Sequence, residues 1–314
     1  MTTTLLEEYR SLLVSTASES GGELKDAADI STIFYNSDTD ALTASDTLLV
    51  IDMQHDFLPG GTFGVAEGDS CLDGISDLIA KFQGAGATVI ATREYHPKDH
   101  CSFIPNGGPF PEHCVQGTRG SFFHPKIASA LQLARQAGES KEGSQTTHVV
   151  YKAFTKDIDS FGGFPYTDED EGDGTTWETR LSHAAHCTHG GCLLEWTGAY
   201  SLHSSNLVND ANAPPDVMSV LDKRPTAELL PTPLGRVFVC GLAFDFCVVD
   251  TAINFCEYAK NNSNNKSPCF IVQDLTRAAN IPGVGKFGSG FLTDPKSMLE
   301  KLTKNKIRLT RFVE

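Results

Sequence analysis

The chain has 314 residues with a formal net charge of −15, and 40% of its residues are hydrophobic and 21% charged. These values are typical of a globular protein that can bury one large core or two modest ones. The acidic excess argues against nucleic acid and an anionic membrane surface as partners, because no basic patch offsets it. No apolar stretch approaches the roughly 20 residues that a membrane span needs.

The nine cysteines are odd in number and scattered without the spacing of a disulfide framework. This usage favours reduced thiols over disulfides, since reducing compartments keep cysteines free. We therefore expect a cytoplasmic protein.

Short apolar strands alternate with helical patterns along most of the chain. A helix is predicted at 4–14, and the Ser-, Thr-, Asp- and Gly-rich segment 15–46 is predicted to be an extended linker or loop. Strands are predicted at 47–52, 89–92, 148–151, 236–240, 269–272 and 307–310, and helices at 69–85 and 246–260. The alternation predicts an α/β fold with a doubly wound, mostly parallel sheet flanked by helices.

One segment, 165–233, breaks this alternation. It is acidic, then rich in His and Cys, then rich in Asn and Pro, with little periodicity. We predict a single domain over 1–314, with an N-terminal helix and extension at 1–46 and a large insertion at 165–233.

Two charged residues end apolar strands in this prediction. Asp52 follows the strand that begins near 47, and an acid there needs a function or a counter-charge. Ligands of open α/β sheets also bind at this edge. Lys152 ends a later strand, where it could polarise a leaving group or hold a carboxylate. The alternatives are a cap or loop aspartate and a surface lysine.

Cys247 follows a strand and a turn, in the first residues of a predicted helix. The positive end of the helix dipole lowers the pKa of a thiol in that position, and nearby backbone N–H groups can hold an oxyanion. We therefore expect a nucleophilic thiolate. The alternative is a small buried apolar side chain, as we expect of the other cysteines Cys71, Cys240, Cys256 and Cys269.

A carboxylate and two imidazoles are candidates for a metal site. Glu94 and His96 alternate after the second of these strands, so that an extended backbone projects both to one side. With His113 from a neighbouring loop, they could form a carboxylate-plus-histidine site with open positions.

Five segments closely resemble the nicotinamidases, which belong to the isochorismatase-like cysteine hydrolases. They are VIDMQHDFLPGG at 50–61, TREYHP at 92–97, PEHC at 111–114, YKAF at 151–154 and GLAFDFC at 241–247. The resemblance covers about 47–164 and 234–295 in the order of the family. The five motifs together identify this resemblance far more specifically than any one of them alone.

The resemblance implies that Asp52, Lys152 and Cys247 form a catalytic triad. Ala243 and Cys247 would supply the amides of an oxyanion hole, with a cis peptide bond between Leu242 and Ala243. The aromatic positions that sandwich a pyridine ring and the metal-ligand positions also have counterparts here. They are Phe57 and Phe110 for the ring, and Glu94, His96 and His113 for the metal, with His100 close by.

The implied reaction converts nicotinamide and water to nicotinate and ammonia, as in NAD salvage, through a thioester on Cys247. The implied cofactor is one divalent metal, with zinc as the first choice and iron or manganese as alternatives. The implied partner is the small amide substrate, and a homo-oligomer is left open. Two other functions remain: hydrolysis of another small amide, ureido compound or vinyl ether, and a catalytically silent binding member of the family.

Two positions depart from the family pattern. Phe110 stands where relatives commonly have tryptophan. Glu94 stands where the first metal ligand is usually aspartate, and its extra methylene moves the carboxylate by roughly 1 Å, a large step for a metal–ligand distance. Either the backbone adjusts or a water intervenes.

The insertion contains five His and Cys residues within ten positions, namely His183, His186, Cys187, His189 and Cys192. This density can assemble a tetrahedral zinc site, but the spacing matches no structural zinc pattern. The acidic run at 168–171 just upstream is expected to be a solvated loop. We predict that 165–233 is a metal-free elaboration at the edge of the sheet that contributes no catalytic group.

Overall fold

The computed structural model describes residues 3–34, 41–139, 146–166, 198–201, 212, 224–262 and 267–313. The strands are β1 Ile30–Phe34, β2 Thr47–Ile51, β3 Thr88–Glu94, β4 Thr147–Lys152, β5 Ala199–Ser201, β6 Arg224–Pro225, β7 Val237–Leu242, β8 Cys269–Arg277 and β9 Arg308–Val313. The helices are α1 Leu5–Glu19, α2 Lys25–Ala28, α3 Leu72–Gly84, α4 Pro125–Glu139, α5 Val249–Asn261 and α6 Pro295–Lys304.

The described strands form one sheet in the order β1-β9-β8-β7-β2-β3-β4-β5-β6. The pairs from β1 through β4 are parallel, and only β5 and β6 run antiparallel to their neighbours. The predicted mostly parallel α/β fold is therefore confirmed. None of the helices in the described ranges is long and apolar enough to cross a membrane.

Two apolar cores lie on opposite faces of the sheet, because successive side chains of a strand point to opposite sides. Leu49 and Ile51 of β2 join the core formed with helices α1, α2, α5 and α6. Leu48 and Val50 join the core formed with α3 and α4. All five residues of β2 are buried, which explains its continuous apolar sequence.

One sequence prediction needs correction, and two helices were not predicted. The extended linker predicted at 15–46 is wrong in part, because α1 continues to Glu19 and the segment also contains α2 and β1. β1 pairs with β9, so the N-terminal extension adds a strand at one edge of the sheet. The sequence analysis missed α4 and α6, and the described parts of 165–233 add β5 and β6 at the other edge.

The strand order brings the chemistry-bearing strand ends together. β2 pairs with β7 and β3, with Ile51 opposite Gly241. β3 pairs with β4, with Glu94 opposite Lys152. The carboxyl ends of four adjacent parallel strands therefore meet at one edge, where open α/β sheets bind ligands.

Gly241 is required by the close approach of β7 to β2. Its φ is 110°, and an added Cβ would collide with the carbonyl group of Ile51. We predict that Gly241→Ala lowers the free energy of unfolding by at least about 2 kcal/mol, from the disfavoured φ together with the clash. Urea unfolding measures this change.

The matched control is Gly84→Ala at the end of α3, where an added Cβ meets no atom within 4 Å. Alanine is the better helix former, so this variant should gain up to about 1 kcal/mol. Equal stability of the two variants would contradict the assigned backbone geometry at Gly241.

Candidate active site

The ammonium group of Lys152 lies at the centre of the site. Its Nζ is 2.7 Å from Asp52 Oδ2 and 2.9 Å from Glu94 Oε1. It also donates to Cys247 Sγ at 3.3 Å. The side chain is fully buried, so an ion pair with Asp52 and hydrogen bonds to Glu94 and Cys247 take the place of water around the ammonium.

Asp52 is held rigidly just after β2. Thr92 on β3 donates its hydroxyl to Asp52 Oδ1 at 2.7 Å and accepts the Asp52 backbone N–H at 3.1 Å. The backbone of Asp52 has φ 47°, and Ala153 after β4 has φ 50°. Left-handed φ values are rare for residues with a side chain and cluster at functional sites.

Cys247 lies in a π-helical turn, Phe244–Val248, between β7 and α5. The peptide bond between Leu242 and Ala243 is cis, which is the isomer that the resemblance implied. The expectation of a lowered thiol pKa is not met. Burial raises the pKa of Cys247 well above its usual value, despite the opposing ammonium of Lys152. The free site therefore holds a protonated thiol.

The pKa values of the two carboxylates beside Lys152 shift in opposite directions. Burial favours the neutral form of Glu94, but Lys152, His113 and His96 outweigh it and hold the pKa of Glu94 well below its usual value. Burial raises the pKa of Asp52, with Lys152 opposing and Glu94 adding to the rise. Asp52 is consequently the carboxylate that can take up and release a proton.

The predicted metal ligands lie together. Glu94 Oε2 is 3.2 Å from Nε2 of His96 and 3.3 Å from Nε2 of His113. Nδ1 of His96 faces the Ala153 carbonyl at 3.2 Å, and Nδ1 of His113 faces the Pro111 carbonyl at 2.8 Å. A backbone carbonyl on one ring nitrogen leaves the other free for a metal.

The spacing of these atoms fits a single ion. Ligand atoms of one tetrahedral zinc lie about 3.3 Å apart, given zinc–ligand distances near 2.0 Å. One ligand atom from each of Glu94, His96 and His113 lies within 4.8 Å of the others, and all three residues are buried. Burial lowers the pKa of His96 to about 4, so that its ring is neutral, as a metal ligand must be.

His100 lies beside this group, with its ring centroid 4.3 Å from that of His96. Its Nδ1 is 2.7 Å from Ser102 Oγ, and its Nε2 is 3.1 Å from the Ile158 carbonyl. A second buried carboxylate, Asp159, forms a potential ligand group with His96 and His100. Burial raises the pKa of Asp159.

A pocket of about 430 Å³ opens beside Cys247, Glu94 and His113. Aromatic rings line much of its wall, namely Phe57, Phe63, Phe110, Phe161 and Phe246. The rings of Phe110 and Phe161 lie 6.3 Å apart, and those of Phe161 and Phe246 lie 6.1 Å apart. Such a pocket suits a flat aromatic ligand with a few polar atoms.

The sequence analysis predicted two of these rings, Phe57 and Phe110, and missed the others that the fold places in the pocket wall. Phe63, Phe161 and Phe246 carry no local signal that separates them from core residues. It also missed Asp159 and Gln54. Gln54 lies two residues after Asp52, and its carboxamide holds the backbone of Glu94 in place.

The His- and Cys-rich group of the insertion, at 183–192, and the acidic run at 168–171 lie outside the described residues. The prediction of a metal-free insertion without a catalytic group therefore stays a prediction.

Comparison with known proteins gives a family match. An isochorismatase domain matches residues 46–134. The nicotinamidase of Escherichia coli is 39% identical over 109 residues, which cover 30% of this chain and 51% of the relative. The nicotinamidase/pyrazinamidase of Mycobacterium tuberculosis is 39% identical over 95 residues, covering 29% and 50%. The chain thus spans about half the length of these curated relatives.

Comparison with solved structures supports the fold. The structure of the yeast nicotinamidase bound to nicotinaldehyde superposes with a TM-score of 0.52 at 18% identity. The match covers 85% of this chain and 99% of the yeast chain. At this identity the likeness establishes the architecture alone.

Gln54 offers a test of how Glu94 is positioned. Its Nε2 donates to the carbonyls of Glu94 and Ser121 at 2.8 and 2.9 Å, and its Oε1 accepts the Glu94 N–H at 2.8 Å. We predict that Gln54→Leu lowers the free energy of unfolding by about 2 to 3 kcal/mol, because the N–H and carbonyl of Glu94 lose a buried partner and the Ser121 carbonyl keeps only Arg93 Nε. Chemical denaturation measures the loss.

The control is Gln132→Leu, a half-buried glutamine of α4, which should change stability by less than about 0.5 kcal/mol. If Gln54→Leu is as stable as this control, the carboxamide does not hold Glu94.

Proposed function

We propose that the chain is an isochorismatase-like hydrolase that converts nicotinamide, a primary amide on an aromatic ring, to nicotinate and ammonia. The observation that carries the proposal is the contact of one buried ammonium, Lys152, with Asp52, Glu94 and Cys247. This arrangement combines a thiol nucleophile, a carboxylate proton acceptor and a charged group that holds them in place. The curated relatives named nicotinamidase support the choice of amide.

The first half of the reaction forms a thioester. Asp52 accepts the thiol proton of Cys247, and the sulfur attacks the amide carbon. The raised pKa of the thiol means that this proton must be moved during the attack, so a nearby base is required. The amides of Ala243 and Cys247 would hold the oxyanion, where one such donor contributes a factor of about 10² to 10³ in rate.

The second half releases the two products. The carbon–nitrogen bond breaks, and Asp52 returns its proton to the nitrogen, which leaves as ammonia. A water then gives a proton to Asp52 and adds to the thioester carbon. The carbon–sulfur bond breaks, nicotinate leaves, and the proton returns to Cys247.

The pocket would place the ring. Phe57 and Phe110 line its wall and would contact the two faces of a pyridine, as the resemblance implies. Glu94, His96 and His113 fit a divalent cation, for which we propose zinc, with iron or manganese as alternatives. A cation there would supply Lewis acidity toward the ring nitrogen and orient the ring.

The cellular setting belongs to the same proposal. The cysteines described as free thiols are Cys71, Cys101, Cys114, Cys240, Cys247, Cys256 and Cys269. Free thiols suit a reducing compartment, so we propose a cytoplasmic enzyme of NAD salvage.

Cys247→Ala should reduce ammonia release from nicotinamide to the background rate, because the alanine cannot form the thioester. The measurement is a coupled ammonia assay on equal amounts of folded protein. Iodoacetamide followed by peptide mass spectrometry should also show whether Cys247 is alkylated before Cys240 and Cys256.

Cys256→Ala is the matched control, since Cys256 is half-buried and lies in α5 away from the pocket. This variant should retain wild-type turnover. Appreciable ammonia release by Cys247→Ala would exclude the proposed nucleophile.

Removal of the metal gives the main test of the proposed function. We expect chelator-treated wild type to release ammonia from nicotinamide at least about tenfold more slowly, and added zinc to restore the rate. His113→Ala should bind less zinc and should not be restored, as measured by elemental analysis and the ammonia assay. Full activity in metal-free protein would refute the metal-dependent mechanism.

A further inference from the structure

Glu94 is already shared between two groups. Its Oε1 contacts the ammonium of Lys152 at 2.9 Å, and its Oε2 faces the imidazoles of His96 and His113. A carboxylate paired with an ammonium offers a cation less net negative charge than a free one. A divalent ion held only by this carboxylate and two neutral rings would therefore be poorly compensated in a buried site.

The charges of the buried side chains show that a divalent cation would need one more carboxylate. Asp52 and Glu94 bring two negative charges and Lys152 one positive charge within hydrogen-bond distance of each other. A divalent cation added to this set leaves one positive charge uncompensated. One further buried carboxylate would balance it, and Asp159 is 5% exposed.

Asp159 is also in the right place. One ligand atom from each of His96, His100 and Asp159 lies within 4.8 Å of the others. Because Nδ1 of His96 faces the Ala153 carbonyl, Nε2 is the nitrogen that can bind a cation. Nε2 of His96 also faces Glu94, so His96 belongs to both groups of potential ligands.

His100 fixes the backbone of Ile158, the residue before Asp159, and has no ring nitrogen left for the cation. A carbonyl can only accept, so Nε2–H of His100 donates to the Ile158 carbonyl at 3.1 Å. Nδ1 must then accept from the Ser102 hydroxyl at 2.7 Å, which occupies both ring nitrogens. Asp159 Oδ1 accepts the Ser160 N–H at 2.9 Å, leaving its other oxygen available.

We propose that Asp159 is the second carboxylate of the metal centre, reaching the ion on the His96 side, with His100 as its positioning residue. The inference rests on the metal site of the proposed function. Asp159 would then supply the negative charge that balances the cation, from the loop after β4 and more than forty positions beyond His113 in sequence.

The test is the zinc affinity of metal-stripped protein, measured by competition with a chromophoric chelator and without substrate. Asp159→Asn keeps the shape and removes the charge, so zinc should bind about 10- to 100-fold more weakly. Asp157→Asn is the matched control: it makes the same change in the same loop at an exposed position, and its affinity should stay within about twofold of wild type.

Asp159→Glu restores the charge and should bind zinc more tightly than Asp159→Asn. The zinc-induced rise in Tm should follow the same order, which separates weaker binding from misfolding. Wild-type affinity in Asp159→Asn, or equal losses in Asp159→Asn and Asp157→Asn, would overturn the inference. If the affinities follow the expected order but nicotinamide is not hydrolysed, the proposed function fails and this inference stands.

Discussion

The buried ammonium of Lys152 is the interaction on which the rest of the site depends. A lysine is almost never fully buried without partners, and this one is surrounded by Asp52, Glu94 and Cys247. Without the ammonium, the two buried carboxylates of Asp52 and Glu94 would repel each other, and Cys247 would lose its hydrogen-bond donor. The ammonium therefore holds the geometry together and also sets which carboxylate exchanges protons.

Glu94 connects the two halves of the site. One oxygen contacts Lys152 and the other contacts the imidazoles of His96 and His113. A cation bound at the imidazoles and the ammonium of Lys152 would both be attracted to the negative charge of Glu94. The proposed nucleophile and the proposed metal centre would thus be electrostatically coupled through Glu94.

Local patterns predicted most of the strands because the central strands are buried on both faces and so are continuously apolar. They failed for β1, whose sequence ISTIF contains two polar residues and becomes a strand by pairing with β9. Local sequence patterns also failed to predict the pKa of Cys247. The helix dipole stabilises a thiolate by at most about 2 kcal/mol, whereas burial in an apolar environment disfavours the thiolate more strongly.

The sequence by itself determined which residue types end the strands, and the motifs around Asp52, Lys152 and Cys247 carry the resemblance to the isochorismatase-like hydrolases. These features depend on neighbours within a few positions. The tertiary structure alone decided the distances, since Lys152 and Cys247 are 95 positions apart and meet only through the strand order. It also decided that Glu94 is shared and that Asp159 lies beside His96. Contacts between distant segments follow from packing and strand pairing, which no local pattern records.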